Sequence, residues 1–451
     1  MPEDREAFGS VAAVLHRLDL RGVEGRLAPH LPRPELDGDE PVGVVRELIA
    51  AVRDRGDDAL IELTRRLDGV SLDSVAVPRA EFDEALGRIT PELREALEVA
   101  AGRIAAYHRT QIHQPVTYED EGAVIRSYDV AVGRAGCYVP GGLAPLASTL
   151  LMTAVPARVA GVEEVVVCVP PVRATGRVDD VILAAAAVAG VDELYSVGGA
   201  QAIAAMAYGT ESVRPVDVIC GPGNRYVAIA KREVAGAVGI AAAFAGPSEV
   251  VVIADPSVDP RYAAIDVIVQ AEHGPDGLAW LVCWDAEVAD AVSAEIVRLT
   301  AEAPRRAQIE STLASSGYAV VVDTPQQAIE VANAIAPEHL QLQVAAPETL
   351  LSLVRNAGAT FVGPWSPASV GDYVAGPSHV LPTHGTARFA SALTVGDFTR
   401  HHHVVELSPD AFARLAPHVA TLAAAEGLDA HARSASMRLD DLAAGTGQVQ
   451  R

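Results

Sequence analysis

The chain contains a single lysine. Lys231 stands alone among 35 Lys and Arg residues, so arginine carries nearly all of the positive charge. Basic residues are themselves outnumbered: 59 Asp and Glu leave a formal net charge of −24. A polyanion of that size repels phosphate backbones and anionic lipid headgroups, so neither nucleic acid nor a membrane is an expected partner. Cysteine is scarce. Cys137, Cys168, Cys220 and Cys283 are scattered without a CxxC pair. A chain of 451 residues buries enough core to need no disulfide staples, so these read as free thiols. Uninterrupted apolar runs are also missing. The longest uncharged stretch, Ala135–Ala157, is broken by Pro140, Gly141, Gly142, Pro145 and Pro156, so no bilayer span is expected. Met1–Ser10 is charged and has no apolar core, unlike a secretory signal; the expected compartment is the cytoplasm. Finally, no glycine loop fits the G-x-G-x-x-G dinucleotide fingerprint.

What remains is globular: 50% of residues are hydrophobic and 21% charged. Helices with arginine and acid faces are expected over Arg46–Leu67 and Ala80–Tyr107, with a short helical arm, Val11–Leu27, set apart by Pro29, Pro32 and Pro34. The middle alternates strand and helix. Strands are expected at Val165–Val169, Leu194–Val197 and Val216–Cys220, and helices at Val181–Gly190, Gln201–Tyr208 and from Asn224. Short connections between alternating elements predict parallel βαβ units and a Rossmann-like half. A second such stretch has strands at Glu249–Ala254, Trp280–Trp284, Tyr318–Val322, Leu340–Val344 and Thr360–Val362, with helices over Pro260–His273, Asp285–Leu299, Pro325–Ile335 and Pro347–Asn356. From about Phe389 the chain reads as strand-poor and helical, suited to packing on another subunit.

Several polar clusters could carry chemistry. In Asp259-Pro260…Gln270-Ala271-Glu272-His273-Gly274, Asp259 is a good N-cap, Pro260 suits the first helical position, and Gly274 is a natural stop. Gln270 and His273 then share one face of the last turn and could hold a metal, although glutamine is an unusual zinc ligand and a capped polar turn has the same spacing. In Ala336-Pro337-Glu338-His339-Leu340 an acid and an imidazole stand at the mouth of a strand, a pairing suited to acid/base work and equally found in a solvated turn. Gly371–His379 is a glycine-punctuated loop carrying Asp372 and His379. Glu426 and His431 lie near the C-terminus, five positions apart across a glycine, and need not share a helix face. The glycine loops after Tyr138 and Cys220 precede helices, whose free amides can take phosphate. His401-His402-His403 is a short metal-like tract.

Taken together, nine segments resemble the histidinol dehydrogenase family, in family order from about Arg21 to Arg433. They are Ala135–Gly142, Val197–Ile203, Gly221–Asn224, Gly246–Val250, Gln270–Gly274, Ala336–Leu340, Gly371–Tyr373, His379–Thr383 and Glu426–His431. The resemblance implies oxidation of L-histidinol to L-histidine through L-histidinal, with two NAD reduced, and Glu338 and His339 as the catalytic pair. It implies zinc on Gln270, His273, Asp372 and His431, with Ser248, His339, His379 and Glu426 also holding the substrate. NAD would lie against Tyr138, Gln201 and Asn224. Glu426 and His431 would come from the partner in a homodimer with shared active sites. The implied fold is α/β with two incomplete Rossmann-like domains. Residues 136–247 would form the NAD side and residues 31–135 with 248–385 the larger domain. A helical N-terminal arm (1–30) and a helical C-terminal dimerisation segment (386–451) would complete it. The family often carries asparagine where this chain has Ser378. Rival readings are oxidation of another alcohol, zinc-dependent hydrolysis through Glu338, and a catalytically silent scaffold.

Overall fold

The computed structural model describes residues 14–32, 41–141, 144–241, 248–272 and 277–445. Its strands, in chain order, are β1 His16–Asp19, β2 Ala76–Val77, β3 Val116–Asp120, β4 Ala123–Ala131, β5 Arg134–Tyr138, β6 Glu164–Val169, β7 Glu193–Ser196 and β8 Val218–Cys220. They continue as β9 Gly239–Ile240, β10 Glu249–Ala254, β11 Leu278–Cys283, β12 Gly317–Val321, β13 His339–Gln343, β14 Ala359–Val362 and β15 Thr399–Leu407. The chain divides into two compact units, Met1–Gln111 with Val132–Phe398, and Ile112–Ala131 with Thr399–Arg451.

The first unit holds two six-stranded sheets, ordered β2-β7-β6-β5-β8-β9 and β1-β12-β11-β10-β13-β14. Within each, five parallel strands follow the chain order third, second, first, fourth, fifth. That is the order of a Rossmann half, and its direction reverses between β5 and β8 in one sheet and between β10 and β13 in the other. Both faces of each sheet are covered, which explains the solid apolar strands. Alternate residues of β6 enter opposite cores: Val165, Val167 and Val169 join one, Val166 and Cys168 the other. In β10, Val250, Val252 and Ala254 face one core and Val251 and Ile253 the other.

Helices start and stop where the sequence supplies caps. Asp179, Asn224, Asp259, Asp285 and Thr324 each cap a following helix through the side chain. The expected helix over Ala80–Tyr107 is instead two, Ala80–Arg88 and Pro91–Arg109, because Thr90 and Pro91 start a new one. All four cysteines are free and buried, as expected. Among the described residues no helix is long and apolar enough to cross a membrane.

Two expectations are corrected. The N-terminal arm, apart from a 3-10 turn at Ala28–His30, is not helical where described: His16–Asp19 is β1, which pairs in parallel with β12 and gives that edge strand a neighbour. The C-terminal segment is not all helix either: after the short 3-10 turns Thr386–Arg388 and Val395–Phe398 comes a long strand. In the second unit, β15 pairs antiparallel with β4, and β4 with β3, before the helices Pro409–Ala425 and Asp429–Ala443. His401, His402 and His403 lie on β15, and the Nδ1 of His401 is 3.0 Å from a carboxylate oxygen of Asp129.

Candidate functional site

Glu338 and His339 sit where β13 begins. Ala336 ends the helix Pro325–Ile335 with a left-handed backbone (φ 55°), and Pro337 turns the chain into the strand. His339 pairs in register with Val250, so Glu338 comes beside Glu249 at the amino edge of the sheet. The Glu249 backbone N–H donates to Oε2 of Glu338 at 3.2 Å, and Ser248 hydrogen-bonds the same carboxyl group. Both members of the pair are 7% exposed, so their charges are hardly screened by water.

The imidazole of His339 lies between two acids. Its Nδ1 is 3.7 Å from Oε2 of Glu338, and its Nε2 is 3.6 Å from Oδ1 of Asp372. Burial works against the imidazolium, but these carboxylates outweigh it and push His339 up to about 8. Burial also raises Glu338, and pushes Glu249 up to about 8 with Glu338 repelling it. Three carboxyl groups and one imidazole therefore share a single water-poor corner, the environment in which acid/base groups are tuned.

Asp372 ends up there because the helix Ala368–Tyr373 follows β14, the neighbour of β13. His379 is fixed seven residues on. Its Nδ1 is 2.9 Å from the Asp372 backbone carbonyl, so Nδ1 donates and Nε2 is left to accept from the Thr149 hydroxyl, 3.2 Å away. Ser378 sets the path of this loop: its hydroxyl donates to the Met152 carbonyl at 3.0 Å and accepts from the Val380 amide at 3.2 Å. Thr149 and Met152 belong to the helix Ala147–Ala160, which follows β5, so this loop ties the two sheets' halves together at the site.

Gln270 closes the helix Pro260–Ala271; it is 3% exposed, and its Nε2 has no hydrogen-bond partner among the described residues. One turn earlier, Asp266 accepts from Nε2 of Gln343 at 2.9 Å. Gln343, Gln341 and His339 alternate along β13 and so share one face, giving that strand a polar row on an otherwise apolar sheet. Burial pushes Asp266 up to about 6.

The first sheet gathers the other set. Tyr138 ends β5, is 3% exposed, and its hydroxyl accepts from the Gly199 amide at 3.0 Å. Gln201 stands in the first turn of the helix Gly199–Tyr208, buried, its Oε1 without a partner among the described residues. Asn224 caps the helix after β8, its Oδ1 accepting from the Tyr226 and Val227 amides. All three lie at the carboxyl ends of strands, around the point where the sheet order reverses, where Rossmann-like sheets bind ligands.

Two of the expected residues belong to the second unit. Glu426 is the C-cap of one helix and His431 lies in the first turn of the next, both exposed and both in the second unit. His273 falls outside the described residues. Among the described residues, no three of His, Cys, Asp and Glu form a metal cluster. Reasoning from sequence missed Glu249, Thr149 and Asp266. Each looks locally like a strand end or a helix residue, and only the folded neighbours mark it.

A family model for histidinol dehydrogenase matches residues 31–439. Similar proteins include the histidinol dehydrogenases of Pseudomonas syringae pv. tomato, 47% identical over 97% of this chain and 98% of that one, and of a Synechococcus, 47% identical over 88% and 92%. The crystal structure of histidinol dehydrogenase from Elizabethkingia anophelis matches with a TM-score of 0.90 at 32% identity, covering 95% of this chain and 99% of that one.

Proposed function

The chain belongs to the histidinol dehydrogenase family and is an oxidoreductase, and from that premise we propose that it oxidises L-histidinol through L-histidinal to L-histidine with two NAD. The observation that carries the proposal is the buried Glu338–His339–Asp372 corner, joined through His379 and Thr149 to the helix that follows β5.

His339 takes the hydroxyl proton as hydride leaves the alcohol carbon, and Asp372 and Glu338 favour the imidazolium that results. Glu338, steadied by Ser248 and the Glu249 amide, then takes a proton from the water that adds to the aldehyde. Burial of both residues keeps bulk water from competing and keeps the aldehyde in place between the steps. His379 is held as an oriented polar group at the junction of the two halves, suited to binding the substrate.

The residues also suit a metal and a nucleotide. Gln270 presents a buried amide whose carbonyl Oε1 is the atom that could ligate a metal, and with Asp372, His273 and the partner's copy of His431 it would make the mixed nitrogen and oxygen donor set that zinc accepts. Zinc would orient the substrate's imidazole and amino nitrogens. NAD would accept the hydride of each step. Tyr138 braces the Gly199 amide, Gln201 offers its buried Oε1, and Asn224, with Oδ1 used in its cap, keeps Nδ2 to donate to the nucleotide. Glu426 joins the substrate site from the partner subunit in a homodimer.

The test is direct. Protein, NAD and L-histidinol are mixed and absorbance of NADH is followed, with and without a chelator. Two NADH per histidine formed is the expected yield. One NADH per substrate with histidinal as end product, or no oxidation at all, contradicts the proposal.

A further inference from the structure

The one lysine of this chain is also one of its most buried side chains. Lys231 is 1% exposed, in the second turn of the helix Arg225–Val234, and its Nζ reaches back past the helix start to donate to the Gly221 carbonyl. The groups facing it are the thiols of Cys137 on β5 and Cys220 on β8, whose sulfurs are 3.7 Å apart. Elsewhere the chain uses arginine for every side-chain cation. A guanidinium could not replace lysine here. It carries five fixed donors and keeps its charge, and a pocket offering a carbonyl and two thiols would leave most of those donors unmet. An ammonium is compact, has three donors, and can give up its proton. Burial does push Lys231 down, to about 8.

What this lysine holds is a strained and crowded point. Gly221 has φ 103°, and a Cβ there would stand 2.1 Å from the Tyr138 carbonyl oxygen, so the loop after β8 presses directly on the end of β5. Tyr138 in turn fixes the Gly199 amide in the loop after β7, and Asn224 fixes the start of the following helix. The end of β5 and the segments following β7 and β8 are thus locked together near the place where the sheet order reverses.

We propose that Lys231 is a positioning residue for nucleotide binding: its ammonium holds the Gly221 carbonyl, and so sets the Gly221–Asn224 loop against Tyr138 in the shape that receives NAD. The proposal rests on the assignment of NAD to this crevice. It assigns Lys231 no contact with NAD and no part in hydride or proton transfer.

The experiment uses the full chain with Lys231→Met, which keeps the stem and removes the donor, and Lys231→Gln, which keeps a neutral donor. NADH affinity is read by fluorescence titration, and KM for NAD and for histidinol, kcat and Tm are measured beside it. Lys231→Met should weaken NADH binding and raise KM for NAD about tenfold, with KM for histidinol within about twofold. Lys231→Gln should fall between this variant and the parent chain, and it carries the test alone if Lys231→Met does not fold. A lower Tm with unchanged NADH affinity would mean a merely structural lysine and overturn the proposal, as would an equal rise in both KM values. Gln201→Ala and Asn224→Ala separate the two levels of the argument. If they weaken NADH and Lys231→Met does not, the proposal fails and the crevice stands. If neither weakens NADH, the crevice is not the nucleotide site and the role of Lys231 falls with it.

Discussion

Nε2 of His339 stands 3.6 Å from Oδ1 of Asp372, although 33 positions separate them in the chain and neither residue lies on the other's element. β14 makes the meeting: it pairs beside β13 and delivers the Ala368–Tyr373 helix back to the edge where β13 begins. The corner lies at the amino ends of β10 and β13, whereas ligands of open α/β sheets bind beyond the carboxyl ends. Under the proposed assignment of NAD to Tyr138, Gln201 and Asn224, only the first sheet follows that rule. The two halves share one strand order and present opposite ends of it to chemistry.

Metal removal should silence the enzyme. Chelation is expected to abolish turnover and added zinc to restore it, and Gln270→Ala should lower the zinc retained after dialysis. Elemental analysis beside the assay decides: full activity in zinc-free protein would sink the metal assignment.

The two oxidations should part under mutation. His339→Asn should slow histidinol oxidation by about 100- to 10,000-fold, since it removes the imidazole base. Glu338→Gln should spare that step more and slow histidinal oxidation, because an amide cannot take a proton from water. Single-turnover runs started from each substrate read the steps separately. Equal losses in both steps with Glu338→Gln would contradict the division of labour.

Asp266 should make stability fall as pH rises. Burial pushes its carboxyl up to about 6 in the fold from an ordinary 3.8, so between those values the native chain keeps a proton that the unfolded chain has lost. Any cost is absent below pH ~4, grows towards pH ~6, and persists above it. Asp266→Asn keeps an oxygen for Gln343 and removes the titration. Its stability relative to the parent chain should therefore rise by up to about 3 kcal/mol between pH 4 and pH 7. Urea midpoints at the two pH values check this, and a gap that does not change with pH would refute it.

Shared sites should be recoverable from two dead variants. His431→Asn and Gln270→Ala proteins are mixed and their subunits exchanged under mild denaturation. In a mixed dimer one site carries both defects and the other neither, so about a quarter of wild-type activity should return. No recovery, with exchange confirmed by mass-tagged subunits, would place each site within one chain.

Much of the fold is legible in the chain itself. The strand Glu249–Ala254 and the helix Pro325–Ile335 were expected with the bounds they have. Apolar runs, side-chain caps and helix-starting prolines are local signals, and buried parallel strands make them strong. The exposed hairpin Val116–Ala131 was not foreseen, nor was β15. Their residues alternate weakly and are mostly exposed, so period and composition say little about them.

The sequence by itself determined the α/β class, the doubled βαβ pattern and the family, because each is written in neighbouring residues or in the order of short motifs. It could not say that β1 would complete a sheet edge some 300 residues away, that Glu249 would crowd Glu338, or that Thr149 would meet His379. Nor could it say that the one lysine would be buried beneath the Gly221 loop. Those relations depend on strand order and register, which arise from the packing of distant segments and leave no trace in local periodicity. The same is true of the environment of His339: residue type supplies an imidazole, but only two folded carboxylates, working against the loss of water around it, hold that imidazole at about 8.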